Sequence, residues 1–340
     1  MKVLVTGANG FLGSWLVKRL LKEGYEVSAL VRKRSDLSEL SDINSQYSGL
    51  SVVYGDVTDK SSLLNHFVKK DVIFHLAGVV GYKKYLRPMM NLVNVQGTQN
   101  VVDVCQLLAV PKLLHLSSVV SIGSSFKPEV MNENSPYKIS HLDLGYFETK
   151  RQAENIVLEA ASSGKIQATC VNPSTIYGFG YAKKGSRKNQ INVARGELKF
   201  YTAGGVNVVG VEDVVEGILL ASQKGRNAER YILASENMTI KSLFEKIAAA
   251  AGVPAPAYQL PTWLLHALGF VGDQLSKVSF HKGLSQENAY TATMFHWFDS
   301  SKAQKELGFK PHSSDLAIEN SVKWMKDHGY LANTGQGSYK

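Results

Sequence analysis

At 340 residues and 37.3 kDa, with 44% hydrophobic and 20% charged residues, the chain is long enough to bury a substantial core and lies outside the disordered and fibrous classes. Its formal charge of +9 invites a nucleic-acid reading, but the only tight basic cluster is Lys183, Lys184, Arg187 and Lys188 in a Gly/Ser-containing loop. Without interleaved aromatics or a recognition helix, that cluster reads as a solvated loop or the rim of an anion site.

The first half of the sequence predicts parallel βαβ units covered on both faces, because short apolar runs alternate with helical patterns. KVLVT (2–6) leads directly into glycines, with no basic-then-apolar leader before it. A helix is expected from about Phe11 to Lys22, then a strand YEVSALV (25–31), a strand SVVYGDV (51–57), a helix near 60–69 and a strand DVIFHLAG (71–78). A further helix begins near Pro88, a residue suited to a first helical turn, and runs to about Leu108. Two strands follow, KLLHLSS (112–118) and QATCVNP (167–173), separated by a long helical pattern over 143–163 that Gly164 stops.

Beyond Pro173 the order changes. Residues 174–205 read as loops, 206–222 return to a strand and a helix, and 260–272 (LPTWLLHALGFVG) read as a core or substrate-covering helix, with contact to a membrane surface as the lesser alternative. That last stretch is too short for a transmembrane helix, which needs about 20 apolar residues. The expected fold is a doubly wound parallel α/β Rossmann sheet with a smaller interleaved C-terminal substrate domain. Residues 1–173 and 206–223 are assigned to the dinucleotide-binding part, 174–205 and 224–330 to the substrate part, and 331–340 to a frayed tail. Cys105 and Cys170 lie far apart in apolar segments, which predicts buried thiols in a reduced, cytoplasmic protein and no metal site.

Gly7-Ala-Asn9-Gly10-Phe11-Leu12-Gly13 sits directly after the first strand and opens the first helix. In that context Gly7 permits the tight turn, Gly10 lets a diphosphate approach the backbone, and Gly13 lets helix pack on strand. The second strand then runs into Arg32-Lys33-Arg34, where an NAD site would place a carboxylate. Arg32 is therefore the candidate for a 2′-phosphate, pointing to NADP(H) with NAD(H) as the alternative. Asp56, beside Val57, either accepts from an adenine amino group or, like Asp59, caps the next helix.

Tyr146 and Lys150 are four residues apart on one predicted helix face, and Ser118 ends the strand KLLHLSS, on the edge where open parallel sheets bind ligands. With GANGFLG (7–13), GDVTD (55–59), HLAG (75–78), NVQGT (94–98), LSS (116–118), YFETK (146–150), NPSTIYG (172–178), VGVEDVVEG (209–217) and SKAQKELGFKP (301–311), the chain resembles the extended short-chain dehydrogenase/reductases of the epimerase/dehydratase and dihydroflavonol-reductase-like group. The resemblance implies that Ser118 holds the substrate oxygen, Tyr146 is the general acid/base, and Lys150 binds the nicotinamide ribose and favours tyrosinate. It also implies that Leu76, Ala77, Gly78 and Val79 line the nicotinamide side. Asn94 matches an asparagine beside the lysine, although a structural role inside its helix is the equal alternative. Asn172, Pro173 and Ser174 end a strand over the nicotinamide.

Sugar-nucleotide 4,6-dehydratases carry an Asp-Glu pair beside their active-site threonine, whereas Ser118 is followed by Val119, Val120 and Ser121. Arg32 argues against the NAD-retaining 4-epimerases. Arg195 and Arg226 are candidates to meet a substrate diphosphate, or are ordinary surface arginines. The reading that remains is an NADPH-dependent reductase of a ketone or aldehyde on a small hydrophobic substrate, since the segments expected to wall the pocket, 79–90 and 261–270, are aromatic and apolar, with core packing as the equal alternative for these aromatics. Nucleotide-sugar epimerisation and a non-catalytic NADP(H)-binding role are the alternatives. No nucleic acid or integral membrane segment is expected, and a homodimer through the Tyr146 helix is one arrangement that relatives use.

Overall fold

A computed structural model describes residues 1–180, 186–275 and 284–331. The expected parallel sheet is present, with seven strands. In chain order its first half comprises β1 (Lys2–Thr6), α1 (Phe11–Lys22), β2 (Glu26–Val31), α2 (Ser38–Gln46), β3 (Leu50–Tyr54), α3 (Lys60–Phe67) and β4 (Val72–His75). Next come α4 (Arg87–Met90), a π-helical stretch Asn91–Gln96, α5 (Gly97–Leu107), β5 (Lys112–Leu116), β6 (Val130–Met131), α6 (Gly145–Ser162), β7 (Ala168–Pro173) and β8 (Thr175–Tyr177). The remainder comprises α7 (Ser186–Ala194), β9 (Phe200–Tyr201), β10 (Gly205–Gly210), α8 (Val211–Lys224), β11 (Glu229–Leu233), β12 (Glu236–Thr239), α9 (Ile240–Ala251), β13 (Tyr258–Gln259), α10 (Thr262–Leu275), α11 (Gln286–Thr293), β14 (Phe295–Phe298), α12 (Ser301–Leu307) and α13 (Ser314–Asp327).

The large sheet runs β3-β2-β1-β4-β5-β7-β11, with every pairing parallel. Val3, Leu4 and Val5 have no solvent exposure, as expected for a strand covered on both faces. One face packs Leu16, Val17 and Leu20 of α1 with Val214 and Ile218 of α8, and the other packs Phe67, Val101, Val104 and Val157 of α3, α5 and α6. β1 has β2 on one side and β4 on the other, so the chain reverses its winding there. The crevice beyond the carboxyl ends of β1 and β4 is the place where such sheets bind ligands.

Several expectations are corrected. Residues 206–223 are assigned by the sequence to the dinucleotide-binding part, yet β10 belongs to a second sheet, β12-β10-β14-β6, with β8 paired to β10. Only α8 returns to cover the large sheet, whereas β11, assigned to the substrate part, closes the large sheet's edge on β7. The stretch read as loops over 174–205 contains β8, α7 and β9, because short polar elements lack apolar periodicity. The helix expected over 88–108 runs without a break from Arg87 to Leu107, with Pro88 in its first turn, but widens to π-helical bonding over Asn91–Gln96. Helix α10 is not a core helix: Trp263, Leu268, Phe270, Val271 and Leu275 face outward, and Leu265, Gly269 and Asp273 are its buried residues. Among the described residues, no helix is long and apolar enough to cross a membrane. Lys183, Lys184 and the tail from 332 onward lie outside the described residues, and Lys188 lies on α7 rather than in a loop.

Candidate active site

The glycine loop between β1 and α1 closes against the start of the segment after β4. Gly7 adopts φ +68°, and a Cβ there would lie 2.9 Å from the Ala77 amide nitrogen, so only glycine fits both the turn and the neighbour. A Cβ on Gly13 would come within 2.1 Å of the Gly7 carbonyl oxygen. Gly10 is different: it is the N-cap of α1, with no side chain to cap the first-turn amides, and its Cβ would meet only Gly7 O, at 3.2 Å. An open helix N-terminus of this kind is suited to a diphosphate. Phe11 and Leu12 begin the helix, and Asn9 donates to the Asp36 carbonyl, tying the loop to the turn after β2.

That turn presents Arg32, Lys33 and Arg34 around a cavity of about 430 Å³, with chemistry matching an anionic group. Asp36 follows, accepting from the amide and hydroxyl of Ser38 at the start of α2, a helix that its weak apolar pattern hides in the sequence. Asp56 is used locally, accepting from the Thr58 amide (2.9 Å) and hydroxyl (2.8 Å), and Asp59 is the residue that caps α3. Val57 is buried and its carbonyl accepts from Asn100.

Residues 76–79 are held by a buried polar chain. Thr6 Oγ1 accepts from the amides of Leu76 and Ala77 and sits 2.8 Å from His75 Nδ1; His75 Nε2 is 3.0 Å from Thr98 Oγ1, which donates to the Asn94 carbonyl. Asn94 grips Val79 on both sides, accepting from its amide at 2.7 Å and donating to its carbonyl at 2.9 Å, and it also reaches Thr149 on α6. Gly78 lies against Asn94 Oδ1. The side chain is thus committed to fixing the β4 loop against the helix that carries Tyr146 and Lys150.

The structure brings Ser118, Tyr146 and Lys150 together. Ser118 follows β5 in extended backbone and accepts from the Val120 amide, and the Tyr146 hydroxyl hydrogen-bonds its side chain. Burial holds the Tyr146 phenol protonated, up to about 12, against the opposing Ser118 contact. Lys150 is 7% exposed and donates to the Leu116 carbonyl at 2.7 Å; its burial lowers it to about 8, while Glu154 pulls the other way. The Lys150 ammonium is thus directed at that carbonyl, and the Tyr146 hydroxyl at Ser118.

The Asn172 side chain faces inward, its two amide hydrogens in reach of the Ser118 carbonyl, the Ser121 hydroxyl oxygen and the Glu154 carboxylate. Pro173 ends β7, and the Ser174 amide is taken by the Leu233 carbonyl while its hydroxyl bonds Asn207. Arg226 pairs with Glu306, and Arg195 donates to the Tyr330 carbonyl, so both cations serve local contacts.

The wall over Tyr146 is aromatic: Tyr82 meets it edge-on at 5.8 Å, and Tyr137, Phe147 and Tyr290 complete the same cluster. Tyr290 in turn contacts Phe126 and His266. Arg87, unnoticed in the sequence, bridges Asp143 at the foot of α6 to the buried Glu287 of α11, fastening the later segment over the site.

A sequence model of the 3-beta hydroxysteroid dehydrogenase/isomerase family matches residues 4–242. A Synechocystis sp. protein named "Putative dihydroflavonol 4-reductase" is 29% identical, the match covering 96% of this chain and 95% of that one. "Sterol demethylase protein B" of Methylococcus capsulatus is 29% identical over 97% of this chain and 100% of its own length. Among solved structures, gox2253 superposes with a TM-score of 0.85 and 30% identity, covering 97% of this chain and 99% of that one.

Proposed function

Because the chain belongs to the 3-beta hydroxysteroid dehydrogenase/isomerase family, a branch of the extended short-chain dehydrogenase/reductases, we propose that it is an NADPH-dependent reductase of a ketone or aldehyde on a small, largely hydrophobic substrate. The observation that carries this reading is the meeting of Ser118, Tyr146 and Lys150 at the carboxyl edge of the parallel sheet, beneath an aromatic wall. A phenol held protonated is poised to donate to a developing alkoxide rather than to abstract a proton. Ser118 orients the carbonyl oxygen toward that proton, and Lys150 binds the cofactor ribose. The glycine cradle and the first-turn amides of α1 fit the diphosphate, and Arg32 fits a 2′-phosphate, so Gly7, Gly10, Gly13 and Arg32 would hold NADP(H). The cofactor supplies the hydride when bound.

Two relatives' names, a dihydroflavonol reductase and a sterol demethylase component, refer to polycyclic molecules, consistent with the aromatic wall of Tyr82, Tyr146 and Tyr290. The test is a panel of aryl and alicyclic ketones and aldehydes assayed with NADPH, alongside UDP- and GDP-sugars. Stoichiometric loss of NADPH with a ketone supports the reading. Conversion of a nucleotide sugar without net cofactor consumption would replace it with epimerisation.

A further inference from the structure

We propose that Glu154 is the positioning residue of this site: a single carboxylate, one helical turn beyond Lys150, both fixes the Ser118 backbone and supplies the counter-charge to the Lys150 ammonium. The inference rests on the reading of Ser118, Tyr146 and Lys150 as the proton-transfer centre. It assigns a role to a group which that reading does not use.

Glu154 is 1% exposed, a burial that carboxylates reach only with partners. It has three. Oε1 lies 3.0 Å from Arg230 Nη1 on β11, while Oε2 accepts from Ser121 Oγ at 2.7 Å and from Asn172 Nδ2. Those last two groups are also the ones that reach the Ser118 carbonyl: Ser121 Oγ lies 2.8 Å from it and Asn172 Nδ2 3.1 Å. The two hydrogens of the Asn172 amide bond Glu154 and the Ser118 carbonyl together, while the single Ser121 hydroxyl proton lies between the same two acceptors and serves one of them at a time, so one buried carboxylate sets the groups that hold the Ser118 backbone. The arrangement is second in line from the reacting atoms, the place from which side chains govern geometry.

The same carboxylate acts on Lys150 through space, since residues 150 and 154 share a face of α6. The titratable groups that act on Lys150 are His75 on β4, His115 on β5, Cys170 on β7 and Glu154 on α6, with Tyr146 one turn earlier on the same helix and, beyond Glu154, the Arg230 guanidinium on β11. Burial keeps both histidines neutral and the Cys170 thiol protonated, and Tyr146 is protonated as well. That leaves Glu154 as the negative charge among the groups named. It favours the ammonium against the burial that would strip its proton.

The test is a lysine titration on the full chain labelled with 13C-lysine, following the ε-methylene resonance by NMR and assigning it by its loss in Lys150→Met. In the wild type Lys150 should half-titrate near 8. Glu154→Gln, nearly the same size but uncharged, should bring the midpoint down by about one pH unit, and Glu154→Asp should restore most of it. A midpoint unchanged in Glu154→Gln would overturn the proposal. Ser121→Ala, a small change that breaks one link between Glu154 and the Ser118 carbonyl, tests the other half. With a ketone reduced by the wild type, kcat should fall roughly tenfold, with the KM for NADPH and the Lys150 midpoint unmoved. Wild-type turnover in Ser121→Ala would refute the positioning role even if Glu154→Gln failed to fold. Should the wild type reduce none of the panel, the reductase reading fails while the lysine titration still decides the role of Glu154.

Discussion

Gly10 and Gly13 stand three residues apart in the same loop and should respond to an added methyl group in opposite ways. At Gly13 the new Cβ would lie 2.1 Å from the Gly7 carbonyl oxygen and 2.9 Å from Ala8 Cα, both backbone atoms that cannot rotate aside. Separating helix from loop places Gly13→Ala at the upper end of overpacking costs, about 3 kcal/mol, with a fall in Tm of several degrees. At Gly10 the backbone is ordinary (φ −80°) and the Cβ meets only Gly7 O at 3.2 Å, so the cost is about 1 kcal/mol for a poorer helix cap. The Gly10 methyl instead projects where a diphosphate would approach the first-turn amides. Gly10→Ala should therefore lose NADPH affinity by about a hundredfold, or 2.7 kcal/mol, while remaining folded. Thermal melts without ligand and calorimetric titration with NADPH measure the two effects separately. Equal melting losses in the two variants, or wild-type affinity in Gly10→Ala, would rule out these separate roles for the two glycines.

Arg32 is expected to select the 2′-phosphate, so NADPH should bind at least about tenfold tighter than NADH, a gap of roughly 1.4 kcal/mol. Arg32→Ser should narrow that gap, and equal calorimetric affinities in the wild type would sink the assignment. His115 is 1% exposed with neither ring nitrogen hydrogen-bonded, and burial keeps it neutral well below its usual range. Its folded-state pKa is depressed, so the unfolded chain takes up a proton that the native chain refuses. The stabilisation is present above about pH 6.5 and is lost as pH falls. His115→Leu should make the decline in stability shallower by about 1.4 kcal/mol per pH unit between about pH 6 and pH 4. Urea unfolding across that range measures the slope, and parallel curves for the two proteins would contradict the assignment.

The large sheet was legible because its strands are buried on both faces and its glycine turns fall where residue type dictates them. The bounds Lys2–Thr6 and Phe11–Lys22 follow from an apolar run, a glycine turn and a helical stripe. Helix α2 was not legible, since only Leu40 and Ile43 of its nine residues are buried and its start depends on Asp36. Sheet membership of β10 and β11 could not be read either: both are apolar runs beside the same helix, and only tertiary pairing distributes them between two sheets. In the site, spacing and strand ends disclosed Ser118, Tyr146 and Lys150. The polar shell around them stayed hidden because its contacts join distant segments: Arg87 to Glu287, and Glu154 to Arg230 and Asn172. Glu154 did leave one signal, its position four residues after Lys150 on the same helix face.

In the proposed reaction Tyr146 delivers a proton to a substrate carbonyl reduced at the expense of NADPH. Single-turnover mixing of NADPH-loaded protein with a ketone that the wild type reduces, comparing wild type with Tyr146→Phe, isolates that step. Tyr146→Phe should bind NADPH with unchanged affinity yet oxidise it at least about a hundredfold more slowly, on the scale of general acid catalysis, about 10²–10⁴-fold. Oxidation at the wild-type rate in Tyr146→Phe would contradict this role of Tyr146.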